Sequence, residues 1–453
     1  MADTPLTLET VLRSGPIPGR TLEQVLLLCD GLRPLAADAH DLLAEDLSGV
    51  QGGNFLDPLA VAIRRGPESR KVHLISGLPG SGKSTALLRF QADLELARNG
   101  GRRFRVLYID ALDFVSLADV DFATVLVGIL AELVRAFPPM AKASKNVASF
   151  WADIRSIFDG AEVEVDASLD LGLLRLGGRL KSDLTSRKHL RMRLPPLAER
   201  LIDAANAYAT ELRTQLAGEG YDDLVLIVDN LEKTVPAAIE GSSRDTFEAT
   251  FFDGAPLFRR LDLHLVLTVP AALWYRDVRG ASLRTLYGTE PRLVPMVRTQ
   301  NRDGSGRHAA GVAALRNMLA RRLDLRAVFG TDALVERLID LSGGSVRTLL
   351  QLISEASLHT DSLPIRAAFV DGVARTLQAH LANNVPRTWF DGLAAVADTH
   401  EFPTEDTDNR VKVECLRAGF VLEYNGEGKW FDVDPVLREV PAFKEAMARR
   451  RGP

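Results

Sequence analysis

The sequence is short of cysteine: Cys29 and Cys415 are its only two in 453 residues. They lie far apart and in no metal-ligand spacing, which excludes a disulfide framework and a cysteine-built zinc site. No charge of one sign dominates, since the net charge is only −5. That leaves no whole-chain electrostatic reason to expect nucleic acid or a membrane surface as partner. No apolar run approaches the roughly 20 residues a membrane-spanning helix requires. The opening Met1-Ala2-Asp3-Thr4-Pro5 has no basic stretch followed by an apolar one, so no signal peptide is expected and a cytoplasmic location is. There is no internal repeat and no low-complexity segment. What is present is ordinary for a globular chain, 46% hydrophobic and 25% charged. The length suggests about three domains at roughly 150 residues each.

Against this plain background one stretch stands out, Gly77-Leu78-Pro79-Gly80-Ser81-Gly82-Lys83-Ser84. It matches G-x-x-x-x-G-K-[ST] without a gap, follows an apolar run (Val72 to Ser76) and leads into a helix-like one (Thr85 to Phe90). Glycines let backbone N–H groups converge on one concavity, and the helix that starts there adds its unpaired N–H groups and its dipole. The concavity spanning Gly77, Pro79, Gly80, Ser81, Gly82, Lys83, Ser84 and Thr85 is therefore expected to hold the phosphates of ATP. Lys83 would reach the β- and γ-phosphates and the Ser84 hydroxyl would bind Mg²⁺. A second run, Leu224 to Val228, is apolar at every position and closes on Asp229-Asn230-Leu231-Glu232. An unbroken apolar run of that length reads as a parallel strand buried on both faces. Asp229 at its C-terminal end is where open α/β sheets place ligands, and is the second expected Mg²⁺ ligand.

Residues 1–54 form a helical segment, with apolar spacing from Leu22 to Leu32. Asp57 and Pro58 open a short helix, with Asp57 as N-cap. The helix after the phosphate loop ends near Asn99-Gly100-Gly101; a strand comes next at Phe104–Asp110, then a helix from Val120 to Phe137. Residues 140–217 are an insertion. Within it, Glu162 to Leu173 alternates strictly between polar and apolar, which predicts an extended segment turning near Gly172 or Gly177-Gly178. The continuation is basic, with Arg175, Arg179, Lys181, Arg187, Lys188, Arg191 and Arg193. Leu263 to Pro270 is a further buried strand carrying Thr268, and Leu293 to Val297 a last or edge strand. Four helices are expected over 301–382, the third opening at Gly343-Gly344-Ser345-Val346-Arg347 with Ser345 as N-cap. A cation in a first helical turn opposes the helix dipole, so Arg347 is there for another reason. The tail, 383–453, offers a helix at Thr388–Ala397 and a hairpin, Phe420–Tyr424 and Lys429–Val433.

Taken together, the phosphate loop, the apolar strand closed by Asp229, the strand carrying Thr268, the Gly343–Arg347 helix start and the tail resemble the AAA+ ATPases. The flavour resembles the replication-initiator clade and the related STAND and KAP-type ATPases. The resemblance covers about residues 55–445. It implies an α/β P-loop NTPase core of three layers with a parallel sheet over 55–300, a helical lid over 301–382 and a C-terminal winged helix over 383–453. It implies that Thr268 stands at the sensor 1 position and Arg347 at the sensor 2 position, each addressing the γ-phosphate, and that Arg259, Arg260 or Arg276 serves as an arginine finger in trans. One departure bears on chemistry: Asn230 follows Asp229 where the family carries a glutamate, and a neutral amide accepts no proton near pH 7. Glu232 is then the candidate base of a slow ATPase.

The leading expectation is an ATP-binding, nucleotide-gated regulatory or remodelling switch, of the kind found in defence or conflict systems, assembling with itself or a partner protein. The alternative is a DNA-binding initiator or transposition-type loader, and a third class is a kinase-like transferase, against which the lid and tail argue. The tail weighs against DNA. Residues 376–453 hold ten basic and thirteen acidic side chains, a net charge of −3, with Arg449-Arg450-Arg451 the one basic cluster.

Overall fold

The computed structural model describes residues 18–35, 39, 43–65, 70–97, 101–117, 120–158, 169–239, 245–275, 282–403, 410–426 and 428–451. Contacts divide the chain into two compact units, Leu56–Ser76 with Phe90–Arg292, and Met1–Phe55 with Gly77–Arg89 and Leu293–Pro453.

The first unit is built on a sheet. Its strands are β1 (Val72–Gly77), β2 (Phe104–Asp110), β3 (Asp223–Asp229), β4 (His264–Val269) and β5 (Arg292–Val294), in the order β2-β3-β4-β1-β5. Gly77 at the end of β1 and Leu293 and Val294 of β5 fall on the other side of the division. The pairs β2/β3, β3/β4 and β4/β1 are all parallel. Every residue of β1, β3 and β4 is buried, which accounts for the unbroken apolar runs in the sequence. The register sets Asp110 opposite Asp229, Val228 opposite Leu267 and Ser76 opposite Val269. The C-terminal ends of β1, β3 and β4 therefore share one edge of the sheet. The expected α/β core with a parallel sheet is what forms, and β5, which stops before Pro295, is its edge strand.

Helices complete this core: α2 (Asp57–Arg64), α4 (Phe122–Ala136), α5 (Lys145–Ile157) and α8 (Ala198–Gly218). Helix α3 (Lys83–Glu95) runs on from the phosphate loop and crosses the division between the units. Asp121 caps α4 by accepting the Thr124 N–H, and Arg191 pairs with the same Asp121 carboxylate at 2.9 Å. Leu126, Ile129, Leu212, Phe251 and Phe258 meet in one apolar cluster with the strands. The N-cap of α2 is Leu56 and Asp57 is the first helical residue, so the helix starts one place earlier than expected.

The insertion departs from its sequence reading. Residues 162–168 lie outside the described residues. From Leu169 the chain is helical, as α6 (Leu169–Ser182), and then α7 (Leu184–Arg193). The alternation that predicted a strand ends in leucines at 169, 173, 176 and 180, a helical spacing, and Leu176 and Leu180 are buried. Gly177 and Gly178, expected at a turn, sit inside α6.

The second unit gathers α1 (Leu22–Leu28), α9 (Ala309–Arg322), α10 (Asp332–Ser342), α11 (Val346–Leu358) and α12 (Ala367–Asn384) around Leu28, Leu319, Leu338, Leu349 and Ile353. Thr21 and Gln24 form a capping box at the start of α1. The guanidinium of Arg322 is buried and donates to the carbonyls of Leu28 (2.8 Å) and Leu43 (3.2 Å), fastening the N-terminal segment to α9. Cys29 and Cys415 are both free and buried, and burial pushes the Cys29 thiol up to about 12. The tail comprises α13 (Phe390–Thr399), α14 (Arg410–Arg417), the antiparallel pair β6 (Val421–Tyr424) and β7 (Trp430–Val433), and α15 (Pro441–Arg451). The hairpin falls where the sequence placed it; α14 has no counterpart in that reading. No helix among the described residues is long and apolar enough to cross a membrane.

Candidate functional site

The phosphate loop forms as its glycines require. Gly80 and Gly82 take φ of +90° and +89°, values that L side chains rarely adopt. Helix α3 opens at Lys83, so the first N–H groups of the helix lie directly after the loop, without intrahelical partners. Lys83 is buried, as is Ser81, whose hydroxyl makes no hydrogen bond; Ser84 and Thr85 are half-buried. Gly77, at the end of β1, approaches Val294 so closely that an added Cβ would stand 2.8 Å from its carbonyl oxygen. Of the residues expected in the cradle, only Pro79 is exposed.

The same unit brings the loop onto α11. The Val346 N–H donates to the Gly80 carbonyl at 3.0 Å. Ser345 caps α11 by accepting the Thr348 N–H, and its Oγ would stand 2.2 Å from a Cβ placed on Gly80. Arg347, in the first turn of α11, lies beside Gly80 too, its Cβ 3.1 Å from that same point. Its Nε is buried without a hydrogen-bond partner, and burial lowers its pKa. No ion pair to a carboxylate is formed by Arg347 among the described residues. The cation that opposes the helix dipole in the sequence thus belongs to a residue whose Cβ packs beside Gly80 and whose Nε is buried.

A residue that the sequence did not reveal fixes the loop from its other side. The side-chain amide of Gln51 is buried and donates to the Ser81 carbonyl at 2.9 Å and to the Pro295 carbonyl at 2.7 Å. Its partners lie 30 and 244 residues away, so no local pattern could have marked it. The segment after Pro295 continues the linkage: Met296 N–H donates to Glu423 O (2.9 Å) and Val297 N–H to Gly344 O (3.3 Å). Gln51→Ala leaves two buried carbonyls unpaired, at a cost of about 1–3 kcal/mol. We expect Gln51→Ala to lower the thermal midpoint and to weaken nucleotide binding in an equilibrium titration, with Gln51→Asn, too short to span both carbonyls, close to alanine.

In the sheet unit, Asp229 is fully buried at the end of β3. Its Oδ2 accepts the Tyr108 hydroxyl at 2.5 Å, while Oδ1 is buried and makes no hydrogen bond. Asn230 is one of two non-glycine residues with positive φ among the described residues, at +69°. That conformation admits asparagine with little strain, whereas a glutamate would be strained. The turn after it, Leu231–Lys233, carries a half-buried Glu232. Thr268 is level with this turn and fully buried; its Oγ1 accepts the Leu231 N–H at 3.2 Å and donates to the Val228 carbonyl at 3.4 Å. The Thr268 hydroxyl therefore positions the residues just beyond Asp229. Of the candidate arginine fingers, Arg259 donates to Leu286 O at 3.0 Å and Arg260 pairs with Glu199 at 2.5 Å; Arg276 lies outside the described residues.

The donor set suits a magnesium nucleotide, part by part. The loop offers a helix start, two glycines in a phosphate-accepting conformation and a buried lysine; Asp229 offers one carboxylate oxygen that no protein group uses. Among the described residues no group of three or more His, Cys, Asp and Glu side chains comes together, so none forms a metal cage from protein alone.

The fold and site thus define a P-loop on a parallel α/β sheet. No protein-family model matches the sequence, and no curated protein matches it. Among solved structures the chain is similar to the Walker-type ATPase PABY2304 of Pyrococcus abyssi, at 14% identity and a TM-score of 0.44, covering 93% of this chain and 100% of that one. It is similar to Drosophila ORC bound to DNA, at 10% identity and 0.39, covering 99% and 94%. It is also similar to the Aeropyrum pernix ORC2 protein in ADPNP–ADP complexes, at 13% identity and 0.34, covering 87% and 94%. Likeness this distant assigns no residue a role; the roles of these side chains rest on the chain's own geometry.

Proposed function

We propose that this chain is an AAA+-like ATPase that binds Mg·ATP and works as a slow, nucleotide-gated switch. The observation that carries the reading is the direct seating of α11 on the phosphate loop, through Val346 N–H to Gly80 O and through Ser345, with Arg347 packed by its Cβ beside Gly80 and its Nε buried without a partner. In this reading the loop from Gly77 to Thr85 binds the phosphates, Lys83 neutralises the β- and γ-oxygens, and Arg347 reads the γ-phosphate. Ser84 and Asp229 are the Mg²⁺ ligands, and the ion supplies charge neutralisation across the phosphates when bound. Glu232 takes the proton of the attacking water as the bond from the γ-phosphorus to the ADP oxygen breaks, and Thr268 holds the turn that presents Glu232. Residues 383–453 form a winged helix that receives the nucleotide state and passes it to a second copy or a partner protein. Location in the cytoplasm and a role in a defence or conflict system belong to the same proposal, by family likeness.

Two observations favour a switch over a DNA-binding loader. Arg449 and Arg450, which make up most of the tail's basic cluster, are paired with Asp391 (2.7 Å) and Asp398 (2.9 Å) of α13. The tail's net charge of −3 gives no phosphate-binding face. Mobility shift with duplex DNA at low salt should show no binding with or without ATP; a steeply salt-dependent complex would move the assignment to the loader.

The deciding test of the nucleotide reading is titration with a fluorescent ATP analogue and a phosphate-release assay. Lys83→Ala should abolish binding. Arg347→Ala should leave ADP affinity unchanged, weaken ATP by about tenfold and reduce turnover. Equal loss of ADP and ATP would show that Arg347 does not address the γ-phosphate.

A further inference from the structure

Beside the phosphate loop, wholly within the second unit, lies a cavity of about 520 Å³. Its size falls within the roughly 300–1,000 Å³ typical of small-molecule sites. Its inner wall is apolar and buried, formed by Leu78 of the loop with Met296, Leu352 and Leu422. Val373 and Leu377 of α12 close one side; α12 runs for 18 residues yet buries only Val370 fully, so these side chains form an apolar ridge that the protein covers only in part. The mouth is polar, with exposed Gln351, Glu355, His359 and His380.

Of the two arginines that line the cavity, Arg417 pairs with Glu414 at 2.7 Å, whereas Arg347 forms no ion pair among the described residues. Arg347 lines the cavity, and its Nε is buried without a partner. A half-buried guanidinium that no carboxylate offsets is a cost to the fold that an anion would relieve. Asp434 also lines the cavity, but burial pushes its carboxyl up to about 7, and it already accepts the Val436 N–H at 2.9 Å. It therefore opposes an anion less than an ordinary aspartate would. Glu355, at the mouth, is exposed to solvent, where its charge is screened.

We propose that this cavity is a second ligand site, distinct from the phosphate cradle, that takes a small amphipathic anion: an apolar body against Leu352, Leu422 and Leu377, and a single carboxylate on Arg347. The occupant would touch Leu78 of the loop and Arg347, both of which line the cavity. If Arg347 reads the γ-phosphate, as the proposed function has it, the carboxylate and ATP compete for one side chain. The ligand is then a negative effector, and by reciprocity ATP weakens the ligand by the same factor.

The test is calorimetric titration of the full chain with octanoate and with octanol, first without nucleotide. Octanoate should bind at one site per chain, about tenfold more tightly than octanol. Arg347→Ala should bring octanoate down to the level of octanol. Leu377→Trp, which fills the cavity from α12, should abolish binding of both, and Val373→Trp serves the same purpose should Leu377→Trp melt early. Octanoate binding of equal strength to wild type and to a folded cavity-filled variant would overturn the site. Octanoate no tighter than octanol would overturn the role of Arg347. ATP affinity that does not move with saturating octanoate would overturn the effector relation. Lys83→Ala should lose ATP and keep octanoate, so a failure of the nucleotide reading shows itself separately from a failure of the cavity.

Discussion

Replacing Gly80 with alanine is expected to destabilise the protein, before any nucleotide is added, by about 2–4 kcal/mol, from backbone strain plus overpacking. The same change at Gly82 should cost only about 1–2 kcal/mol, from strain alone. Both glycines have φ near +90°, and both belong to the same eight-residue motif. They differ in what a methyl group meets. At Gly82 nothing stands within 4 Å of an added Cβ; at Gly80 the Ser345 Oγ stands at 2.2 Å. That oxygen has little room to retreat, because it caps α11 by accepting the Thr348 N–H and is bonded to the Thr348 hydroxyl at 2.9 Å. The clash would separate α11 from the loop and break the Val346 to Gly80 bond. Thermal melts of the two single variants, in buffer without nucleotide, read the difference. A cycle sharpens the attribution: Gly80→Ala combined with Ser345→Gly should recover most of the excess, since glycine at an N-cap costs only a few tenths of a kcal/mol. Equal destabilisation at Gly80 and Gly82 would mean that α11 does not bear on the loop.

The contrast between these glycines separates what is legible in the sequence from what is not. The motif, its flanking strand and the helix start at Lys83 are legible because each is a contiguous pattern set by local geometry. Asp229 is legible for the same reason, as the polar end of an apolar run. Arg347 is marked by a local inconsistency, a cation where the helix dipole disfavours it, and its place beside Gly80 supplies the cause. Gln51 carries no such mark. It lies in a polar stretch that reads as a connection, and only folding brings two distant carbonyls to its amide. Helix α6 reads wrongly as a strand because period two over 162–173 overlies the start of a helical spacing, and a short window favours the simpler alternation. The resemblance implies that Thr268 addresses the γ-phosphate; the hydrogen bonds of its hydroxyl to the backbone on both sides of Asp229 and Asn230 are tertiary contacts that no local pattern marks.

Asn230 is where sequence and structure bear most directly on chemistry, and it leads to the second large effect. An asparagine where the AAA+ ATPases that the sequence resembles carry a glutamate suggests a loss of function at that position. The backbone gives another reason: φ of +69° suits asparagine, and the chain turns there into Leu231–Lys233. The residue serves the turn, and the turn carries Glu232. Turnover should therefore depend on Glu232. A positioned general base contributes typically about 10²–10⁴-fold, so Glu232→Gln should lower the rate of phosphate release by that order while ATP still binds. Asn230→Gly, which keeps the left-handed conformation without strain, should retain turnover within a few-fold, and Asn230→Ala should cost about 1 kcal/mol of stability with only a modest loss of rate. The most informative variant is Asn230→Glu/Glu232→Gln, which moves the carboxylate to position 230, directly after Asp229. Because the side chain at position 230 leaves a left-handed backbone, it should not restore hydrolysis. Rescue by that double variant, or undiminished turnover in Glu232→Gln alone, would place the base at another residue, and slow, switch-like hydrolysis would then need a different cause.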